Sequence, residues 1–204
     1  EQLGFRADTL NAADIADLEP ALAGKFSHGV LFPDWCAVSD TKGFTAALTE
    51  AFIREGGTRV DSEAESILES HDLANGVVLR DGRSLAADHV VVAAGTGSCR
   101  FFKQLGVRIP LTGISGYQAL LPQPEVEFRH SVIYADGGFC FTPMTRGLQI
   151  GGTIEFAGAD AKPNFRRAEI ILQKAQRLLP ELNATDKEFG MGVRPFLPDT
   201  KPVI

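Results

Sequence analysis

Between residues 107 and 156 the chain alternates short apolar segments with Gly and Pro, and a single long amphipathic segment follows them. Apolar residues recur at helical spacing over residues 165–179, and Pro180 ends the helix that they predict. Strands are predicted near residues 107–111, 116–121, 130–134, 138–143 and 148–156. Because a sheet and an amphipathic helix can each bury an apolar face against the other, we expect an α+β fold. We expect this fold to consist of a mixed or antiparallel sheet with helices packed against it.

The residues before this region predict two helices and one short strand. Asn11 and Asp14 have the spacing of a capping box, so a short helix begins there. A strand follows at residues 28–32, and Asp40 is placed to cap a longer helix that ends at Gly56. The apolar face of that longer helix consists of Phe44, Ala47, Leu48, Ala51 and Phe52.

Strand-like periodicity and turn residues fill the region from residue 58 to residue 106. Asp81-Gly82-Arg83 lies between two short apolar runs and predicts a hairpin. Residues 88–95 are almost continuously apolar and do not alternate as a half-buried strand does. Such a continuous run is typical of strands buried on both faces in α/β proteins. On pattern alone this segment is a core strand that ends in a glycine turn, and a short helix over residues 99–105 follows it.

Composition and charge argue against several classes of function. The formal net charge of −6 gives no general affinity for nucleic acid or anionic lipid. No apolar run approaches the roughly 18 residues of a membrane span. The three cysteines and four histidines are scattered, which argues against a disulfide framework and against a zinc or other metal site. We therefore expect a cytoplasmic protein, with peripheral attachment of the longer protein to the inner membrane left open.

The last residues of the chain hold an arginine in an unusual setting. Arg194 stands between Gly192-Val193 and Pro195, and further prolines follow. Proline fixes φ and stiffens the backbone, which suits the holding of one guanidinium in place. On pattern alone, a surface arginine in a Pro-rich loop is equally consistent. The chain begins with Glu rather than Met and stops at Pro202-Val203-Ile204 in mid-strand by pattern, so we expect a piece of a longer protein.

Two segments, taken in order, carry a resemblance to a known family. Residues 90–98 read Val-Val-Val-Ala-Ala-Gly-Thr-Gly-Ser, and residues 192–199 read Gly-Val-Arg-Pro-Phe-Leu-Pro-Asp. They resemble motifs of the D-amino-acid oxidase superfamily of FAD-dependent oxidoreductases, which includes D-amino-acid dehydrogenases, glycine oxidases and sarcosine oxidases. The segment Pro110–Tyr117, the strand at Gly151–Glu155 and the helix at 165–179 also fall where this family places them, so the resemblance spans nearly the whole chain.

The resemblance implies roles for five residues. Ala94 and Gly95 correspond to backbone that approaches the FAD cofactor, and Arg194 matches the arginine that binds a substrate carboxylate. Cys140 occupies a place where some members present a substrate-binding tyrosine. Tyr117 is placed to line the substrate pocket, and a half-buried strand tyrosine with its hydroxyl in water is the alternative. No catalytic residue is assigned, because the flavin accepts a hydride and no general base is required if the amine arrives neutral.

Several positions depart from the family pattern. Ser115 stands where the family usually has Lys or Arg, Gly190 stands where many members have Trp, and Leu197 replaces the usual Thr. These departures leave the expected fold unchanged but weaken the assignment of a specific substrate.

The family's Gly-x-Gly-x-x-Gly turn, which holds the FAD pyrophosphate, is not found in this sequence. We therefore expect residues 1–57 and 107–190 to form a substrate-binding domain. Residues 58–106 and 191–204 are expected to be parts of an incomplete, Rossmann-like FAD-binding domain. The chain alone is then expected to be inactive and to bind FAD weakly or not at all.

The function implied by the resemblance is oxidation of the CH–NH bond of a small amino acid or amine to an imine. The substrate is expected to be a D-amino acid or of the glycine or sarcosine type. A flavoprotein that acts on a hydroxy acid or glycerol phosphate is one alternative, and a non-catalytic subunit of an oxidoreductase complex is another. The electron acceptor stays open among oxygen, a quinone and a carrier protein.

Overall fold

The computed structural model describes residues 4–201. Pro202, Val203 and Ile204, for which a strand was predicted, lie outside the described residues. The helices are α1 (Ala12–Leu18), α2 (Thr41–Arg54), α3 (Ser98–Gln104) and α4 (Arg166–Leu178). The strands are β1 (Asp8–Asn11), β2 (His28–Leu31), β3 (Ala64–Ser70), β4 (Leu73–Leu79), β5 (Ser84–Ala86), β6 (Thr112–Leu121), β7 (Val132–Tyr134), β8 (Phe139–Met144), β9 (Gly147–Glu155) and β10 (Glu188–Phe196).

The chain forms two compact units. The first unit comprises the residues up to Ala46 together with Gly116–Glu155 and Lys162–Gly192. The second unit comprises Ala47–Ser115, Phe156–Ala161 and the residues from Val193 onward. The α+β class and the antiparallel sheets expected from the sequence are confirmed.

The main sheet has the strand order β10-β6-β9-β8-β7. Strands β7, β8 and β9 are antiparallel neighbours, with Phe141 opposite Ile150. Helix α4 packs against this sheet, as its apolar periodicity predicts. The predicted strand at residues 107–111 is wrong, because β6 begins only at Thr112. Pro110 has no N–H for a strand ladder, which explains the late start.

The first unit's part of this sheet has two different faces, because side chains alternate along a strand. The core face is buried under α4, and its side chains include Tyr117, Ala119, Phe139, Phe141, Leu148 and Ile150. The open face carries side chains of intermediate exposure, which are the small or polar Gln118, Cys140, Thr142 and Gln149 and the apolar Leu120 and Met144.

The N-terminal part of the first unit contains the predicted short helix. The Asn11 side chain accepts the N–H groups of Ala13 and Asp14, and the Asp14 carboxylate accepts the N–H of Asn11, so the capping box is confirmed. Strand β1, which the sequence did not predict, pairs with β2 in antiparallel register. Glu19 is buried beyond the helix, and its carboxylate accepts the backbone N–H groups of Arg129 and His130.

The second unit contains a three-stranded antiparallel sheet of the order β3-β4-β5. The predicted hairpin at Asp81 joins β4 to β5, and its carboxylate accepts the N–H of Arg83. Helix α3 is attached to β3 through Gln104, whose amide bonds both the N–H and the carbonyl of Ile67 at 3.0 and 2.8 Å.

One expectation about burial is wrong. Residues 88–95 form no strand, and Val91 is 88% exposed. No described strand pairs with this segment, so its apolar side chains have no sheet in which to be buried. Helix α2 is confirmed, but its apolar face is not covered within residues 4–201, since Phe44, Leu48 and Phe52 are each more than half exposed.

Candidate functional site

The open face of the main sheet is one of the surfaces of the first unit that carry a cavity; a larger one, of about 570 Å³, lies between α4 and residues 182–189. The floor of the open face is free of large side chains at Gly151 and Gly190. A Cβ atom at Gly151 would lie 3.4 Å from the Cys140 sulfur, and one at Gly190 would lie 3.0 Å from Nε2 of Gln118. The side chains of Cys140 and Gln118 therefore occupy the space that larger residues at these positions would fill.

Cys140 lies on this open face, on β8. Its thiol is partly exposed and donates to the carbonyl of Gly151 on β9 at 3.3 Å. The thiol is free, as are those of Cys36 and Cys99. Contact between Cys140 and a substrate stays a prediction.

Tyr117 lies on the core face of the same sheet and is 2% exposed. Its hydroxyl donates to Glu155 Oε2 at 2.5 Å and accepts the backbone N–H of Asn164 at 3.1 Å. Protein groups rather than water therefore satisfy this hydroxyl. A direct contact of Tyr117 with substrate stays a prediction, and the observed geometry gives it a definite structural task.

Glu155 and Arg167 complete a polar cluster around Tyr117. The Tyr117 hydroxyl and, after it, the Arg167 guanidinium hold the pKa of the Glu155 carboxyl below its ordinary value, against the opposing effect of burial. Arg167 Nε lies 3.2 Å from Glu155 Oε1 but makes no hydrogen bond, while Nη1 donates to Thr153 Oγ1 at 3.4 Å. This cluster ties the end of β9 to the start of α4. The sequence carried no signal for it, because its members are not at any helical or strand spacing.

Arg194 belongs to the second unit and lies within β10. The strand continues through Pro195 to Phe196. Because β10 is last in the sheet order, a proline there removes no inner ladder bond. Arg194 is exposed and has no hydrogen bond or ion pair with another described residue. Its neighbour Val193 is held close to Gly113, where an added Cβ would lie 2.9 Å from Val193 Cγ1.

Ala94 and Gly95 also belong to the second unit and are exposed. Gly95 has φ +57°, and no atom lies within 4 Å of the place of a Cβ there, so a ligand can approach its backbone. The N–H of Ala94 is already donated to Ser98 Oγ at 3.2 Å. Contact of Ala94 and Gly95 with the flavin stays a prediction, and the described residues of this segment form no cradle for its pyrophosphate.

Ser115, where the family usually has a basic residue, is fully buried on β6. Its hydroxyl has no hydrogen-bond partner within residues 4–201. In the part of the chain that is described, no three His, Cys, Asp or Glu side chains converge as metal ligands. None of the helices built from those residues is long and apolar enough to cross a membrane.

Two curated relatives match this chain over almost its full length. The chain is 31% identical to a D-amino-acid oxidase of Bradyrhizobium diazoefficiens over 199 residues, covering 96% of this chain and 47% of the relative. It is 30% identical to a D-amino acid dehydrogenase of Paramagnetospirillum magneticum over 215 residues, covering 98% of this chain and 49% of the relative. The chain therefore spans about half the length of the curated relatives that it matches.

Fold comparison agrees with the sequence comparison. The chain superposes on glycine oxidase from Geobacillus kaustophilus with a TM-score of 0.73 at 19% identity, covering 98% of this chain and 54% of that one. The sequence profile of the DAO family, described as FAD dependent oxidoreductase, matches residues 1–204. Since this match covers the whole sequence, the chain belongs to the DAO family of FAD-dependent oxidoreductases.

Proposed function

We propose that the protein containing this chain oxidises the CH–NH bond of an amino acid to an imine, with FAD as its cofactor. The substrate is a D-amino acid or is of the glycine or sarcosine type. Residues 1–57 and 107–190 supply the substrate side, and residues 58–106 and 191–204 supply part of the flavin side. The names of the two curated relatives support an amino-acid substrate.

The observation that carries the proposal is the position of Arg194, unpaired and beside Pro195 on β10. Some arginines are engaged by carboxylates, such as Arg100 with Glu63 at 2.8 Å and Arg146 with Glu188 at 2.8 Å, whereas Arg177 is unpaired within the described residues but lies on a helix. Arg194 has no such partner among the described residues, and it sits beside Pro195 on a defined strand. An arginine held in this way offers a planar, bidentate site for a substrate carboxylate.

The chain's own residues bind and orient the substrate. Arg194 holds the carboxylate, which fixes the position of the neighbouring carbon that carries the amine. Cys140, on the open face of the first unit, is a second residue for which the family resemblance implies contact with substrate. The Tyr117–Glu155–Arg167 cluster keeps the sheet and α4 in register beneath that face. When bound, FAD supplies the acceptor for the hydride.

Expression of the full-length protein tests this proposal. We expect a flavin spectrum that is bleached under anaerobic conditions by amino acids, including glycine or sarcosine. Bleaching only by 2-hydroxy acids or glycerol 3-phosphate would support the alternative flavoprotein chemistry, and a colourless protein would support a non-catalytic subunit. Reoxidation by oxygen, by a quinone or only by a cell fraction then identifies the class of electron acceptor.

Substitution of Arg194 tests the assigned residue. In the full-length protein, Arg194→Ala should raise the activation free energy that kcat/KM reports for an amino acid by ~2–5 kcal/mol, by analogy with buried charge pairs at interfaces. This corresponds to roughly 30- to several-thousand-fold. Arg194→Lys should rescue part of the loss, since a point charge cannot reproduce the fork. On the decarboxylated analogue of the substrate, kcat/KM should be nearly the same for both variants and the wild type.

A matched control is Arg177→Ala on α4, because Arg177 is also exposed and unpaired within the described residues. It should change neither substrate's kinetics. Arg194→Ala should change the free energy of unfolding by less than about 0.5 kcal/mol, as expected for a surface side chain without partners. An equal kinetic loss on the amino acid and on its decarboxylated analogue would show that Arg194 supports the fold or the flavin instead.

A further inference from the structure

A cavity of about 200 Å³ opens on the open face of the first unit. Gln118 and Leu120 of β6, Gln149 of β9 and Phe189 and Gly190 of β10 line it from the sheet. The start of α2 and the turn between β8 and β9 line its rim. At about 30 Å³ of liquid volume per water, this space matches roughly six or seven water molecules. A short polar side chain of a substrate fits the same volume.

The cavity depends on the absence of a side chain at position 190. A Cβ there would lie 3.0 Å from Nε2 of Gln118 and 3.2 Å from its Cγ, so any larger residue would press on the Gln118 amide. This is also the position at which the resemblance places Trp in many members of the family. The structure thus connects one departure from the family pattern with one local space above the sheet.

The two amides in the cavity have no partners. Neither Gln118 nor Gln149 makes a side-chain hydrogen bond with another described residue. Two other glutamines are engaged, since Gln104 binds the backbone of Ile67 and Gln176 donates to a carbonyl at 3.4 Å, whereas Gln173 on the surface of α4 is unpaired within the described residues. Each primary amide offers two donor hydrogens and an acceptor oxygen. The two cavity amides, on neighbouring strands, therefore present both kinds of group to a ligand.

The charged side chains around the cavity balance one another. Asp40 and Glu188 are acidic, and Lys42 and Arg146 are basic. Asp40 accepts the N–H of Gly43 at 2.9 Å and so satisfies the start of α2, while Arg146 pairs with Glu188. With two charges of each sign, the lining gives no net attraction for an ion. Leu120, Met144 and Phe189 add apolar surface, so the lining suits an uncharged group, and the two amides are placed to form hydrogen bonds with it.

We infer that this cavity is a specificity subsite for a neutral hydrogen-bonding group at the end of the substrate side chain, such as a carboxamide. The inference rests on the proposed amino-acid oxidation and adds to it a class of side chain. Gln118 and Gln149 are the specificity-determining residues. They act on binding and take no part in the oxidation itself.

The test uses the full-length flavoprotein and three amino acids of similar size, each supplied in both D and L forms. These are glutamine, glutamate and homoleucine, which carry a neutral amide, a charge and an apolar end. The wild-type protein should have its highest kcat/KM on glutamine. Gln118→Leu and Gln149→Leu should each lower that value about 5- to 10-fold, the usual effect of losing one hydrogen bond. The change should appear mainly in KM, and homoleucine should be oxidised as well as before or better.

Gln173→Leu is the control, since Gln173 is an exposed and unpaired glutamine on α4. It should leave all three substrates unchanged. A wild-type preference for glutamate or homoleucine would overturn the inference without recourse to any variant, and so would equal losses on all three substrates in the Gln118 and Gln149 variants. Absence of bleaching by every amino acid would instead reject the proposed function, and the subsite with it.

Discussion

Replacing Tyr117 by Phe removes one oxygen atom from the core face of the main sheet and leaves the aromatic ring in place. The lost hydroxyl donates to Glu155 and accepts the N–H of Asn164. Loss of a buried hydrogen-bond partner costs about 1–3 kcal/mol, depending on whether the remaining group can reach water. Asn164 is exposed, and Glu155 keeps its ion pair with Arg167. We therefore expect a loss of about 1 kcal/mol at neutral pH, at the low end of that range.

The loss should also depend on pH, because the hydroxyl is the largest cause of the lowered pKa of Glu155. A carboxyl whose pKa is lowered by folding adds stability above its unfolded pKa, and that stability disappears as the pH falls through the folded pKa. Tyr117→Phe raises the pKa of Glu155 towards its ordinary value. The difference between wild type and variant should therefore be largest near neutral pH and should shrink in acid.

Thermal unfolding of the chain at neutral and at acidic pH measures both effects. For a domain of this size, 1 kcal/mol shifts Tm by ~2–4 °C. Tyr134→Phe is the matched control, because the Tyr134 ring also packs against phenylalanines but its hydroxyl has no hydrogen bond with a described residue. That control should show no shift that changes with pH. If Tyr117→Phe is as stable as wild type, or loses the same amount at every pH, the role given to the hydroxyl is wrong.

Three further outcomes are expected. Phe141 is fully buried and stacks on Phe128, so Phe141→Ala should lower the free energy of unfolding in urea by ~3–5 kcal/mol. Ile133→Ala, on the exposed side, should change it little. A loss below about 1 kcal/mol for Phe141→Ala would contradict the core assignment. Asn11→Ala should cost ~1 kcal/mol through loss of the α1 cap, and an unchanged Tm would show that the capping box contributes nothing. The chain alone should be colourless after purification and should not retain FAD on gel filtration, because its described residues form no pyrophosphate cradle; an equimolar yellow complex would refute this.

Elements with local signals could be predicted from the sequence. The capping residues Asn11 and Asp14, the turn residues at Asp81 and the helical period of α4 each act over a few positions. Such signals are determined by the segment itself, so the fold around it does not change them. Strand β1 was missed because Asp8–Asn11 has two acidic or amide side chains in four residues and no apolar alternation.

Burial and long-range contacts could not be predicted in this way. Residues 88–95 and the apolar face of α2 have the composition of buried elements, but burial requires a neighbouring strand or helix. The contact between Tyr117 and Glu155 joins residues 38 positions apart, and only the pairing of the strands brings them together. Arg194 was found by resemblance to a family motif, whereas its free guanidinium became visible only when its surroundings were known.

The alternation of side chains along β8 separates two kinds of mutational effect. Phe139 and Phe141 point into the core, so substitutions there lower the free energy of unfolding. Cys140 and Thr142, one position away, are partly exposed and make few demands on packing. Under the proposed role of the open face, substitutions at these two positions would change which substrates are accepted at little cost to folding. New substrate preferences would then arise through stable proteins, without compensating changes in the core.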